Sequence, residues 1–194
     1  MLLFSDEDYL VVDKPPLSLV IPGRRGDRRV LKTELEAEHG RLWVVHRLDW
    51  GVGGVLLFAR NADAHRHASQ AFEHREVTKR YEALTCGIAP EGEQLFRFRL
   101  KRGKKRAYVH EQGKKALTVA NATQEGERVR WALSPQTGRN HQLRVHLMTA
   151  GFPIVGDALY GSEVPRENGL ALWSVHLSGA GLPTVDLPSG GRES

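Results

Sequence analysis

The chain has 194 residues, of which 40% are hydrophobic and 26% charged, an ordinary globular composition. Its 28 Lys+Arg against 23 Asp+Glu leave a formal net charge of +5, which makes an anionic partner plausible without identifying one. Cys86 is the only cysteine, which excludes a disulfide framework and a cysteine-rich zinc site, and no apolar run approaches the ~18 residues of a membrane span.

The start, MLLFSDEDYLVVDK, turns acidic after four residues and does not read as a signal peptide. A soluble, reduced, cytoplasmic protein is therefore expected. No composition shift or long repeat marks a second domain, so residues 1–194 read as one domain.

In chain order, Leu2-Leu3-Phe4 and Tyr9-Leu10-Val11-Val12 flank the acidic turn Ser5-Asp6-Glu7-Asp8, which predicts a hairpin. Lys14-Pro15-Pro16 ends the second strand, because two prolines remove two ladder donors. Pro22 to Arg29 is a basic loop, and Val30 to His39 is predicted as an amphipathic helix with Gly40 at its end. A short strand over Leu42–Val45 leads into His46-Arg47-Leu48-Asp49, a glycine-rich turn and a strand over Val55–Ala59. Asn61 or Asp63 can cap the next helix, whose Ala64, Ala68, Ala71 and Phe72 lie near one face. Strands are expected over Val77–Thr85 and, several of them, over 94–134. A turn over Pro135–Gly138 precedes a helix over His141–Ala150, with Leu143 and Leu147 buried. The last residues, Ser189–Ser194, read as a frayed end. Strands and helices do not alternate regularly, which predicts an α+β fold with a mixed, mostly antiparallel sheet and flanking helices.

Three segments carry chemistry. Arg97, Arg99, Lys101, Arg102, Lys104, Lys105, Arg106, Lys114 and Lys115 are accompanied by a lone acid, Glu111, and Arg24, Arg25, Arg28, Arg29 and Lys32 form a smaller cluster. Such one-signed runs are self-repulsive without a partner and suit a phosphate backbone, a reading favoured over a solvated hairpin. Asp49 stands at a strand end before Gly51, Gly53 and Gly54, either as a nucleophile or base, or as a mere hydrogen-bond acceptor for the turn. In Thr137-Gly138-Arg139-Asn140-His141-Gln142-Leu143-Arg144, a helix N-terminus with Arg139 and Asn140 favours an anion, and an inward Arg144 needs an anionic partner. His141 and His146 are five apart, a poor spacing for a metal, and no metal is expected.

Together the segments are specific. Asp8-x-Leu10-Val11-Val12-x-Lys14-Pro15, His46-Arg47-Leu48-Asp49, Lys79-Arg80-Tyr81-x-Ala83, Thr137-Gly138-Arg139-x-His141-Gln142-Leu143-Arg144-Val145-His146 and Gly151-x-Pro153-Ile154-Val155-Gly156-Asp157-x-Leu159-Tyr160-Gly161, in this order, resemble the RluA-type RNA pseudouridine synthases. The resemblance spans residues 2–187 and leaves no room for the extra S4 RNA-binding domain of some relatives. It implies a synthase fold with a central catalytic cleft. It also implies isomerisation of uridine to pseudouridine in ribosomal or transfer RNA, without cofactor or metal. Asp49 matches the essential aspartate, Tyr81 the tyrosine that stacks on the target base, and Arg144 the arginine that pairs with the aspartate. Arg47 matches an arginine that helps hold the RNA. Arg139, His141 and Leu143 are further expected at the substrate, and Arg24, Arg25, Lys101, Arg102, Lys104 and Lys105 on the RNA backbone. A monomer is expected, because no apolar stripe is left over, and neither DNA nor a membrane is an expected partner.

The sequence departs from the family where Val52-Gly53-Gly54 replaces Thr-Ser-Gly, beside a bulky Trp50, and where Leu172-Trp173-Ser174-Val175-His176-Leu177 replaces a Leu-His-Ala block. An RNA-binding protein or RNA chaperone with this fold and little activity is the competing reading. A glycoside hydrolase would need a second carboxylate about 5 to 10 Å from the first, and none stands out.

Overall fold

The computed structural model describes residues 1–23 and 29–188, so Arg24, Arg25 and the end segment 189–194 lie outside the described residues. The chain divides into two compact units, 1–79 with 173–194, and 80–172. Both are built of strands with helices beside them, and the antiparallel pairing expected of the sheet prevails.

In the first unit, β1 (Leu2–Ser5) and β2 (Tyr9–Lys14) form the expected hairpin. Its turn closes because Asp6 Oδ1 accepts the main-chain N–H groups of Asp8 and Tyr9, at 2.9 and 2.6 Å. Helix α1 spans Leu31–His39, and Gly40 ends it at φ 75°. Next come β3 (Trp43–Val44) and β4 (Gly53–Ala59). Every residue of β4 is buried. It pairs with β2 from Tyr9↔Ala59 to Lys14↔Gly54 and carries β3 at its far end. Helix α2 (Ala62–His74) is capped by Asn61, whose Oδ1 accepts the Ala64 N–H at 2.8 Å. Ala64, Ala68 and Ala71 of α2 pack with Tyr9, Val11, Val55 and Leu57 in one core, as the periodicity predicts.

The second unit is an antiparallel sheet with non-sequential strand order. Strands β5 (Thr78–Cys86), β6 (Gln94–Arg102), β7 (Ala107–Val109), β8 (Lys114–Glu125) and β9 (Arg128–Pro135) pair in the order β5-β9-β8-β6-β7, all antiparallel. Trp131 is wholly buried, with Nε1 donating to Thr85 Oγ1 at 2.9 Å. Helix α3 runs over Gln142–Thr149, one residue shorter at each end than expected. His141 stands before it in the left-handed region, φ 53°, outside the helix that the sequence predicts to begin there. The chain returns to the first unit through β10 (Leu172–Gly179) and β11 (Leu182–Asp186). There Trp173 and Ser174 pair in parallel with Gly53 and Gly54, which makes the sheet mixed. No described helix is long and apolar enough to cross a membrane.

Two buried histidines set a pH limit on this fold. Burial pushes His146 on α3 down to about 4; its Nδ1 meets Thr118 Oγ1 at 3.0 Å and its Nε2 has no partner among the described residues. Burial, with Lys79 adding to it, pushes His46 down to about 3. The unfolded chain takes up both protons near the ordinary value of 6.5, before the folded chain does. Stability is therefore complete above that pH and falls as the solution is acidified towards 4 and 3. Each histidine should cost about 2 kcal/mol between pH 7.5 and 5. Urea unfolding at the two pH values tests this. His146→Gln, which cannot take up the proton, should remove its share of the loss, and an unchanged pH response in that variant would refute the assignment.

Candidate active site

In the first unit, the sequence His46-Arg47-Leu48-Asp49 leads into a tight turn, with the Val52 N–H donating to the Asp49 carbonyl at 3.0 Å. Asp49 is half-buried, Leu48 is buried, and Arg47 and Trp50 are exposed. The approach to the turn is pinned by His46. Its Nε2 accepts the Leu57 main-chain N–H at 3.1 Å, and its ring stacks on Phe72 with centroids 4.8 Å apart. A strand amide aimed at that nitrogen requires the neutral ring, which agrees with its lowered pKa.

The far side of the turn is held by Lys14, a side chain fully removed from solvent at the end of β2. Its Nζ donates to the carbonyls of Pro15, Trp50 and Val52, at 3.0, 3.4 and 2.7 Å. Burial lowers its pKa to about 8, against the pull of the Asp49 charge, so the ammonium persists at neutral pH. One cation thus ties down the loop that follows Asp49 and lends it a nearby positive charge.

Lys14 belongs to a motif shared with the family, and its grip on the loop does not depend on the hydroxyls of Thr-Ser-Gly. Lysine holds it by main-chain oxygens, which any side chain offers. At Gly53 a Cβ would come within 3.2 Å of the Trp173 ring and 3.3 Å of the Lys14 carbonyl. Trp173 and Gly53 are a matched pair, and both are departures from the family pattern. Gly54, at φ 106°, lies so close to Ser174 that a Cβ would overlap its main chain. Lys14→Met keeps the bulk and removes the ammonium. It should lower turnover about tenfold, through loss of position at Asp49, and take the ammonium from the Trp50 and Val52 carbonyls, while that of Pro15 keeps the Ser18 hydroxyl. Lys14→Arg should not restore a three-carbonyl fit in so small a space. Wild-type turnover in Lys14→Met would show that the tether is dispensable.

In the second unit, the turn before α3 is built around Gln142. This buried amide satisfies all its positions: Oε1 accepts from Thr137 Oγ1 (2.7 Å) and the Arg139 N–H (3.0 Å), and Nε2 donates to the Leu117 carbonyl and Thr118 Oγ1 (both 3.0 Å). The turn is thereby locked to β8. One position on from Leu143, Arg144 is buried and meets its anionic requirement in Asp157, Nε to Oδ2 at 2.7 Å and Nη2 to Oδ1 at 2.8 Å. Its guanidinium carbon stands 4.9 Å from the Tyr160 ring centroid. Tyr160 is itself fixed: its hydroxyl donates to the Ala107 carbonyl, accepts the Ala107 N–H, and meets His141 Nδ1 at 2.9 Å.

Of the residues singled out in the sequence, Arg47 and Asp49 belong to the first unit, and Tyr81, Lys101, Arg102, Lys104, Lys105, Arg139, His141, Leu143 and Arg144 to the second. Tyr81 is half-buried on β5, opposite Leu133. Leu143 is buried. Arg102, Lys104 and Lys105 are exposed at the β6–β7 turn, and Lys101 is partly covered. Sequence reading missed the supports: Lys14, Gln142, Asp157 and Tyr160. Each stood inside a quoted motif, but only burial reveals a side chain that spans two segments. No three metal-ligating side chains cluster among the described residues.

Residues 8–149 match the family model described as RNA pseudouridylate synthase. The chain is 34% identical over 169 residues to the dual-specificity RNA pseudouridine synthase RluA of Salmonella typhi, covering 84% of this chain and 77% of that one. It is 33% identical over 174 residues to ribosomal large subunit pseudouridine synthase D of Haemophilus ducreyi, 53% of whose length it spans. The solved structure of human RNA pseudouridylate synthase domain containing 1 superposes with a TM-score of 0.83 at 27% identity, over 96% of this chain and 82% of that one. A match of this extent, carried by the same segments that fix the Asp49 turn and the Arg144 helix, makes the chain a member of the RluA-type RNA pseudouridine synthases.

Proposed function

We propose that the protein isomerises uridine to pseudouridine in ribosomal RNA, transfer RNA or both, as one catalytic domain of both units with Asp49 at the reacting sugar. The observation that carries this reading is the Asp49 turn, lashed by Lys14 and pinned by His46, in a chain whose family model covers it. A carboxylate on a rigid turn suits attack on C1′ or removal of the C2′ proton. Either way the N1–C1′ bond breaks, the base turns, and C5 bonds to C1′ while its hydrogen leaves as a proton. The relatives named as a dual-specificity RNA enzyme and a ribosomal large-subunit enzyme support RNA, ribosomal RNA included, as the substrate.

The target base must leave its stack, at a cost of a few kcal/mol. Tyr81 offers a ring that recovers about 1 to 3 kcal/mol by stacking on it. In this reading Arg144, aimed by Asp157, serves Asp49 as its cation, and Arg47, Arg139, His141 and Leu143 line the substrate. Arg24, Arg25, Lys101, Arg102, Lys104 and Lys105 take the backbone phosphates. The enzyme works without cofactor or metal, as a cytoplasmic monomer that acts on RNA and not on DNA or membranes. Lys14 tethers the altered loop and Trp173 packs against Gly53, so the departures give no support to a fold that binds RNA without turning it over. The test is tritium release from RNA labelled at uridine C5, with bulk ribosomal and transfer RNA assayed separately. Release from neither pool would overturn the reading.

A further inference from the structure

We propose that a groove at the foot of the β6–β7 hairpin is a binding site for a backbone phosphate of the RNA strand. It lies wholly within the second unit, has a volume of about 370 Å³, and is lined by Lys101, Arg102, Lys114, Arg139, Asn140 and Gln112 among others. Four of these are cations and no carboxylate is among the lining residues. Pairing explains how they meet. Arg102 ends β6 opposite Ala107, and Lys114 opens β8 opposite Leu100, so both stand on the strand faces next to α3. Arg139 arrives from the turn that Gln142 clamps to β8.

The groove is preformed on one side. Arg139 Nε donates to the Lys115 carbonyl at 3.0 Å, and its main-chain N–H is held by Gln142 Oε1, so its guanidinium is fixed before any ligand arrives. Lys101 is steadied by Gln112 Oε1 at 3.3 Å. The side chains of Arg102 and Lys114 make no hydrogen bond or ion pair among the described residues. Two uncompensated cations beside a fixed guanidinium repel one another, and a phosphodiester is the anion that relieves this. Nor is the space closed: a Cβ at Gly138 would meet nothing within 4 Å. The inference rests on RNA being the substrate, and it assigns one phosphate contact to one place.

The test pairs Arg102→Ala/Lys114→Ala with the charge-keeping Arg102→Lys/Lys114→Arg, and measures binding of bulk transfer and ribosomal RNA across a salt series. Losing this one phosphate contact should weaken binding several-fold near 0.1 M salt and flatten the slope of log K against log salt by about 0.7 to 0.9. The charge-keeping pair should retain the wild-type slope. Unchanged affinity and slope in the alanine pair, or an equal loss in both pairs, would overturn the site. If inorganic phosphate raises the melting temperature of the wild type but not of the alanine pair, with RNA affinity unchanged, the groove takes a free anion and the proposal falls. These readouts are of binding alone. Failure of C5 tritium release would refute the proposed activity and leave the groove result standing.

Discussion

Asp49→Ala should abolish tritium release from C5-labelled RNA while RNA affinity stays within about twofold of wild type. Both routes open to this residue need a charged oxygen: attack on C1′ uses its lone pair, and removal of the C2′ proton uses its basicity. Asp49→Asn keeps the shape and loses the charge, so it should fail as completely. The loss should be about 10³-fold or more, the scale on which removing a nucleophile or base acts. Folding should survive, because the turn is held by groups other than the carboxylate. Lys14 grips the carbonyls of Trp50 and Val52, the Val52 N–H meets the Asp49 main-chain carbonyl, and His46 secures the approach. Affinity should survive because phosphate contacts supply most of it. Residual turnover above about a hundredth of wild type in both variants would remove Asp49 from the chemistry. Parallel loss of binding and turnover would recast it as a structural acceptor for the glycine turn.

The parts of this molecule written as local pattern were legible in the sequence. Alternation gave the strands, Asn61 the cap of α2, and the alanine stripe its buried face, because each depends on neighbours within a turn or a strand pair. Motif order gave the family and the position of Asp49. What escaped was every side chain whose partner is remote in sequence. Lys14 reaches Val52, Gln142 reaches Thr118, and Tyr160 reaches Ala107, and nothing in their spacing encodes those distances. Composition even misleads at Lys14, since lysine is almost never fully buried unless paired. The Gly53–Trp173 match was visible only as two unrelated departures, because parallel pairing of β10 with β4 brings them together late in the chain.

Arg144 shows what such a remote partner is worth. The sequence demanded an anion for a buried arginine and left its identity to the resemblance. The structure supplies Asp157, 13 residues on, with both oxygens engaged and its side chain only 1% exposed. Asp157→Ala strands a guanidinium in a dry site, which should cost about 3 to 5 kcal/mol of stability. Asp157→Asn keeps one acceptor and the packing but loses the charge, and should cost less. The two effects of the pair separate in a cycle. Arg144→Met with Asp157→Leu removes both charges and fills the volume, so stability should recover most of the loss, since buried ion pairs are often matched by apolar contacts. Turnover should not recover, because the guanidinium proposed to serve Asp49 is gone. Denaturant midpoints and C5 tritium release on the same preparations decide the matter. If the double variant regains both stability and turnover, Arg144 has no part in the reaction. If Asp157→Ala costs less than about 1 kcal/mol, the bidentate pair is not what holds Arg144 in place.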